Sequence, residues 1–299
     1  MSDSPEENLE AAIDVGAMTE AELKRAEAAI ARQFHGRVPW EMVAWGLGNF
    51  AFWLALWPLT ILGIIPLWAG FLLATFAVAV CYLPSHEAQH SIIAAEGTKL
   101  RWLNELVGYV SLIPLVLPYR LAWITHRMHH AHTNDPELDP DFYTSAPTWW
   151  QSIWQGIQAR QHGSDSAYTA IASESDDPAI KRAVIEALFQ QTAYYAILAI
   201  AAWSGYAVEA ALLWWIPRHL GMAYIQLFLS WAPHYPADEK GRYRDTRAWR
   251  FSLGSILSSG MEFHVIHHLY PKIPLFQTGP AFFELREILE ARGIRNDGL

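Results

Sequence analysis

"MVAWGLGNFAFWLALWPLTILGIIPLWAGFLLATFAVAVCYLPSH" runs from residue 42 to residue 86 without a single Asp, Glu, Lys or Arg. About 20 apolar residues cross the hydrocarbon core of a bilayer, so this run is long enough for two crossings and far too long for one buried soluble helix. Pro66 divides it, which predicts a hairpin of spans at about residues 45–63 and 67–83. A second apolar block, Val184 to Trp231, predicts two more spans, at 184–203 and 210–231. Its awkward members are Glu186, Arg218 and His219. Between the blocks, Leu106–Tyr119 is apolar but short and holds Pro114 and Pro118, the pattern of an interfacial or re-entrant piece.

Composition agrees. Of 299 residues, 52% are hydrophobic, 17% are charged and 15 are Trp, a departure from soluble domains in the apolar direction. The N-terminus is acidic and lacks the pattern of a cleaved signal peptide; it predicts an amphipathic or solvated helix from about Thr19, with Glu20 and Glu22 in the first turn. The single cysteine, Cys81, excludes an intrachain disulfide. Residues 1–40 are therefore expected to form a cytoplasmic helical segment and residues 41–299 a membrane domain. Four spans put both tails and the middle segment on one side, and these hold 4, 9 and 7 of the basic residues, or 20 of 21. The exception is Arg218, and the positive-inside rule makes the crowded side cytoplasmic.

The histidines follow this topology. "HEAQH" (86–90) ends the second span, "HRMHHAH" (126–132) lies in the middle segment, His234 follows the fourth span, and "HVIHH" (264–268) lies in the C-terminal tail. All fall on the same face of the membrane. Residues three and four apart share one face of a helix, so His86/His90, His126/His129/His130 and His264/His267/His268 can each aim as a group. With His234 they make nine candidate ligands, enough for two metal ions with four or five each. Imidazole suits Fe, Zn or Cu and does not choose among them. One such pair alone is a weak signal, since a lone histidine near a membrane surface is usually an interfacial polar residue; nine of 13 converging is a strong one. His35, His162 and His219 join no cluster, and His132 is either a supporting donor or merely polar.

Carboxylates accompany each group. A ligating imidazole usually gives its other N–H to a carboxylate or carbonyl. Asp135, Asp139 and Asp141 follow the second group, while Glu87 and Glu262 sit in the first and third. The alternative for the aspartates is a solvated acidic loop punctuated by Pro136 and Pro140.

With these boxes in view, the sequence resembles the integral-membrane fatty acid desaturase and hydroxylase family. "HEAQH", "HRMHH" and "HVIHH" match its three histidine boxes in order, and "HTNDPELDPD" and "HHLYPKIP" look like bacterial members. The resemblance runs from about Trp45 to the C-terminus. It implies an all-α fold of four transmembrane helices, with a cytoplasmic helical cap carrying a di-iron site in a bacterial inner membrane. It implies O2 as co-substrate and attack on an unactivated C–H bond of a lipid. It also implies electrons from a ferredoxin or a cytochrome b5. No "HPGG" haem motif is present, so the donor is expected to be a separate protein. Lys240, Arg242, Arg244, Arg247 and Arg250 form either an attractor for an acidic carrier or a patch for anionic lipid. Acyl-CoA members carry an Asn four residues before the position of His234, where this chain has Ser230, so their site does not transfer in detail.

Loss of one hydrogen leaves a carbon that either gains oxygen or loses a second hydrogen, and motifs do not separate the two outcomes. The first choice is a fatty-acyl lipid desaturase. Alternatives are a carotenoid β-ring hydroxylase or ketolase, suggested by "WAPH", or a fatty acid hydroxylase. A membrane metal-binding protein without oxidation chemistry is a remote one, because transport sites usually sit near the bilayer midplane. Trp53, Trp57, Phe71, Phe76, Tyr194 and Trp214 are candidates for lining a substrate pocket, or are packing and lipid-facing residues.

Overall fold

The computed structural model describes residues 15–162, 175–250 and 255–297. The first part of the acidic N-terminal segment therefore lies outside the described residues, as do the surroundings of the His162 side chain. Helix α1 (Glu20–Gln33) starts where the sequence predicts: Thr19 Oγ1 accepts from Glu22 N–H and the Glu22 carboxylate accepts from Thr19 N–H, a reciprocal capping box. Helix α2 (Trp40–Ile61) follows. Gly63, at φ 70°, makes a turn that suits a residue without a Cβ, and Pro66 leads into α3 (Leu67–Val80). A bend at Cys81 joins α3 to α4 (Tyr82–Gln89), so one long rod delivers "HEAQH" at its end.

Next come α5 (Arg101–Leu112), α6 (Tyr119–His132), α7 (Trp149–His162) and α8 (Pro178–Trp203). Asp177 caps α8 through Ala179 N–H, and Pro178 occupies the first turn, where its missing N–H costs nothing. Among the described residues, three helical rods are long and apolar enough to cross a membrane: Trp40–Ile61, Leu67–Gln89 and Pro178–Trp203.

The expected fourth span is built differently. It is α9 (Ala207–Ala210), a π segment (Ala211–Trp215), α10 (Ile216–Ile225), a second π segment (Gln226–Trp231) and α11 (Ala232–His234). Arg218 explains part of this. Its Nε donates to Leu115 O at 2.9 Å, and Trp214 Nε1 donates to Pro114 O at 2.9 Å. These two carbonyls lie in the turn between α5 and α6, where Leu115 and Val116 are buried. Buried carbonyls without partners are costly; the irregular helix supplies their donors. The short apolar segment 106–119 is thus a helix–turn–helix hairpin with its apex enclosed by protein.

Three buried apolar clusters organise the described residues, the smallest around Met42, Leu83, Met261 and Leu275. One, around Trp53, Leu56, Val78, Leu112, Leu213 and Trp214, joins α2, α3, the α5–α6 hairpin and the first π segment. Trp57 and Tyr194 pack with Trp53 and Trp214 as an aromatic cluster, while Phe76 is exposed on the outside; these residues hold helices together and do not line the histidine site. The second core joins α1, α13 (His264–Leu269) and α14 (Leu275–Ala291) through Ala31, Ile266, Leu269, Phe282, Leu285 and Leu289. The strand content is a single short parallel pair among the described residues, β1 (Arg247–Trp249) with β2 (Arg295–Asp297), which ties the C-terminal end to the loop after His234.

Candidate metal centre

Four elements bring the nine histidines to one place. The α4 end supplies His86 and His90, α6 supplies His126, His129 and His130, α11 supplies His234, and α13 supplies His264, His267 and His268. They form two groups. His86, His90, His126 and His267 each offer a nitrogen within 4.8 Å of the others, and so do His129, His234, His264 and His268. The second and third boxes are therefore each split between groups, one helix turn feeding both. His130 lies between them: its Nε2 is 2.9 Å from His267 Nε2 and 3.1 Å from His126 Nε2, and its ring stacks on His268 with centroids 4.2 Å apart.

These positions fit metal ions. His90 Nε2 and His126 Nε2 stand 2.8 Å apart. Two nitrogens bound at right angles to one ion, each ~2.1 Å from it, lie ~3 Å apart. In the other group, His234 Nε2, His264 Nδ1 and His268 Nε2 are buried without a hydrogen-bond partner, a costly state for a polar atom unless something charged occupies the space between them. Burial pulls His126, His264, His267 and His268 well below the ordinary histidine range. These rings are neutral and each keeps a lone pair to offer.

The supporting residues sort differently from expectation. Asp139 makes a direct imidazole bond: its Oδ1 accepts from His129 Nδ1 at 2.8 Å. Burial works against charge on His129, but this bond and the nearby aspartates outweigh it, and its pKa is raised. Asp139 is itself held by Asn134 N–H and Asp141 N–H, both at 2.9 Å. Asp141 lines the cavity that reaches His86, His126, His129 and His264. Asp135 is turned away. It accepts from Glu137 N–H, Leu138 N–H and Lys240 Nζ, which hold its carboxyl down at about 2. Glu87 accepts from Leu275 N–H at 2.9 Å, and Glu262 accepts from the Ser255 and Ser258 hydroxyls. These last two carboxylates brace the framework and do not contact the rings.

Sequence reading missed Asn134 and Asp245. The Asp245 carbonyl is 3.2 Å from His234 Nδ1 and accepts from Asn134 Nδ2 at 2.8 Å. Asn134 adopts φ 62°, so it turns the chain after α6 and links the supports of His129 and His234. Its left-handed conformation, common for Asn, was the available signal. Two adjoining spaces lead to the rings. The first reaches from Leu117 and Met222 to His126, the second from Tyr82 and Ile225 to His86, His129 and His264. Ser230 borders both, its Oγ 2.8 Å from Thr144 Oγ1.

An almost wholly helical chain with apolar rods ending at two clusters of imidazoles has the pattern of a membrane-associated protein able to hold a pair of metal ions. The profile of the fatty acid desaturase family matches residues 62–296, and the chain belongs to that family. It is similar to an sn-1 oleoyl-lipid 12-desaturase of Anabaena variabilis, 25% identical over 81% of this chain and 73% of that one. A second sn-1 oleoyl-lipid 12-desaturase, from a Picosynechococcus species, is 22% identical over 75% of this chain and 69% of its own. A Nostoc sn-1 acyl-lipid omega-3 desaturase (ferredoxin) is 20% identical over 70% of this chain and 64% of its own.

Proposed function

We propose that this protein is an O2-dependent desaturase of fatty-acyl lipids that holds two iron ions among its nine clustered histidines. His86, His90, His126 and His267 would hold one ion and His129, His234, His264 and His268 the other, with His130 beside both. Iron bound there would supply the means of activating O2 for attack on an unactivated C–H bond. The observation that carries the reading is the cavity that borders both groups at once, through His86 and His126 on one side and His129 and His264 on the other. An acyl chain entering past Leu117 and Met222 would be presented to the two groups together, and such placement is worth large rate factors. Asp139 orients the His129 ring and keeps its proton on Nδ1, leaving Nε2 to face the site.

The topology belongs to this proposal. Crossings at α2, α3–α4, α8 and the α9–α11 run would give four spans in a bacterial inner membrane. Both termini and the metal centre would then be cytoplasmic. Residues 1–40 would cap that side, and residues 41–299 would form the membrane domain. A ferredoxin is the proposed electron donor, supported by the ferredoxin-dependent names of relatives; a cytochrome b5 is the other choice. The basic cluster is less free than its sequence suggests, because Lys240 pairs with Asp135, Arg244 with Glu239 and Arg247 with Asp297. A cleft bordered by His130, His268, Lys240 and Arg242 offers a carrier an approach to the rings.

The test is expression in a host that makes both acyl lipids and β-carotene, with mass spectrometry of the lipid extract and metal analysis of the purified protein. New acyl double bonds with about two irons per chain are expected. Oxygenated carotenoid rings or hydroxylated acyl chains would replace the substrate or outcome proposed. Zinc without O2 consumption would overturn the enzyme itself.

A further inference from the structure

The third histidine group sits on α13, only six residues long. Isolated helices shorter than ~12 residues are marginal in water, so its orientation must come from its surroundings. Val265, Ile266 and Leu269 bury the face opposite the ligands, which fixes its distance from the core but leaves its ends to be held by polar contacts. At the start, Glu262 is held by the hydroxyls of Ser255 and Ser258. At the end, a second buried carboxylate does the corresponding work, and it comes from the other extremity of the chain.

Glu27, on α1, is 1% exposed. Its Oε1 accepts from Tyr270 Oη at 2.5 Å, and its Oε2 accepts from Tyr243 Oη and from Arg292 Nη1, both at 3.0 Å. Tyr270 directly follows "HVIHHL", two residues beyond His268. Arg242 completes the arrangement: it donates to Leu269 O at 2.9 Å and lies over the rings of Tyr270 and Tyr243. One buried carboxylate thus joins α1, the loop after His234, the segment after α13 and the end of α14. The family match starts at residue 62, so α1 lies outside it.

We infer that Glu27 is a positioning residue for the third histidine group, acting through the Tyr270 hydroxyl on His267 and His268, which belong to different metal groups. This rests on the metal reading above. The orientation matters because supports of ligating histidines commonly change metal affinity by ~10–100-fold when removed. Glu27 acts one step further out, so an effect of about threefold to tenfold is expected.

Glu27→Ala leaves Arg292 with Glu20 alone and takes the shared acceptor from Tyr243 and Tyr270, which risks unfolding, so the decisive variants are milder. Tyr270→Phe removes one hydroxyl from the carboxylate and leaves the Arg292 pair intact. Tyr243→Phe removes a hydroxyl from the same carboxylate but from outside the histidine segment. Glu27→Gln keeps an acceptor for Tyr270. Full-length iron-loaded protein in detergent is challenged with a chelator, and the rate of iron loss is followed beside circular dichroism. Tyr270→Phe should lose iron about threefold to tenfold faster than wild type, with Tyr243→Phe near wild type and Glu27→Gln between. Equal rates for the two tyrosine variants, or a Tyr270→Phe rate equal to wild type, would overturn the assignment. Wild-type protein that retains no iron would overturn the metal reading and this inference together.

Discussion

His129 and His267 sit in different groups, and that separates their predicted losses. His129→Ala and His267→Ala should each abolish product while leaving membrane insertion intact, because each removes a ring and no apolar span. Metal analysis should find about one ion retained in each, and near-normal activity in either variant would count against the site. Asp139→Ala should be milder: the His129 ring stays but loses its orienting bond, so metal affinity should fall ~10–100-fold, read by chelator competition. The histidine groups were legible because ligand spacing on a helix is a local property. Their division between two clusters was not, since it depends on how α6 and α13 face one another. The misplaced carboxylates have an equally local cause. Neighbouring residues on a helix point ~100° apart, so Glu87, next to His86, must face away from the ring and meets Leu275 N–H instead.

At the scale of elements, the three regular rods were readable from hydropathy; of the fourth, the apolar stretch was readable and its irregular build was not. A sequence window sees Ala210–Trp231 as one apolar stretch. The structure inserts two π segments, whose wider turns shift the faces that follow and carry Ser230 to the cavity wall. What holds this irregular helix is close approach. A Cβ on Gly221 would lie 2.8 Å from Val78 Cγ1 and 3.2 Å from the Val78 carbonyl oxygen on α3. Gly221→Ala should therefore force the two helices apart and cost ~1–3 kcal/mol, the usual penalty of overpacking. Thermal unfolding in detergent would read it. Gly48, with nothing near its missing Cβ, is the matched control, and Gly48→Ala should be neutral or slightly stabilising. An equal effect at both positions would mean that the α3–α10 contact is not what orders the fourth segment.

For the whole molecule the decisive quantity is the side on which charge accumulates. With four crossings, the turns at 62–66 and 204–206 carry no Lys or Arg, while the tails and the middle segment carry 20 of 21. Lys and Arg in short loops resist translocation, so every histidine of the two groups should lie on the cytoplasmic side, within reach of a soluble donor. Single cysteines introduced at Gly63, Gly205, Glu137 and the exposed Glu284, in a Cys81→Ser background, give a direct reading through a membrane-impermeant thiol reagent on intact cells. Gly63 and Gly205 should label in intact cells, and Glu137 and Glu284 only after lysis. Labelling of Glu284 in intact cells together with Gly63 and Gly205 would mean that the α9–α11 run returns without crossing. The tail bearing "HVIHH" would then be on the outer side, away from "HEAQH" and "HRMHH". That arrangement is incompatible with the 2.9 Å approach of His130 Nε2 to His267 Nε2. The fourth crossing and the assembled centre therefore stand or fall together: the irregular helix, weakest by hydropathy, is the one the site requires.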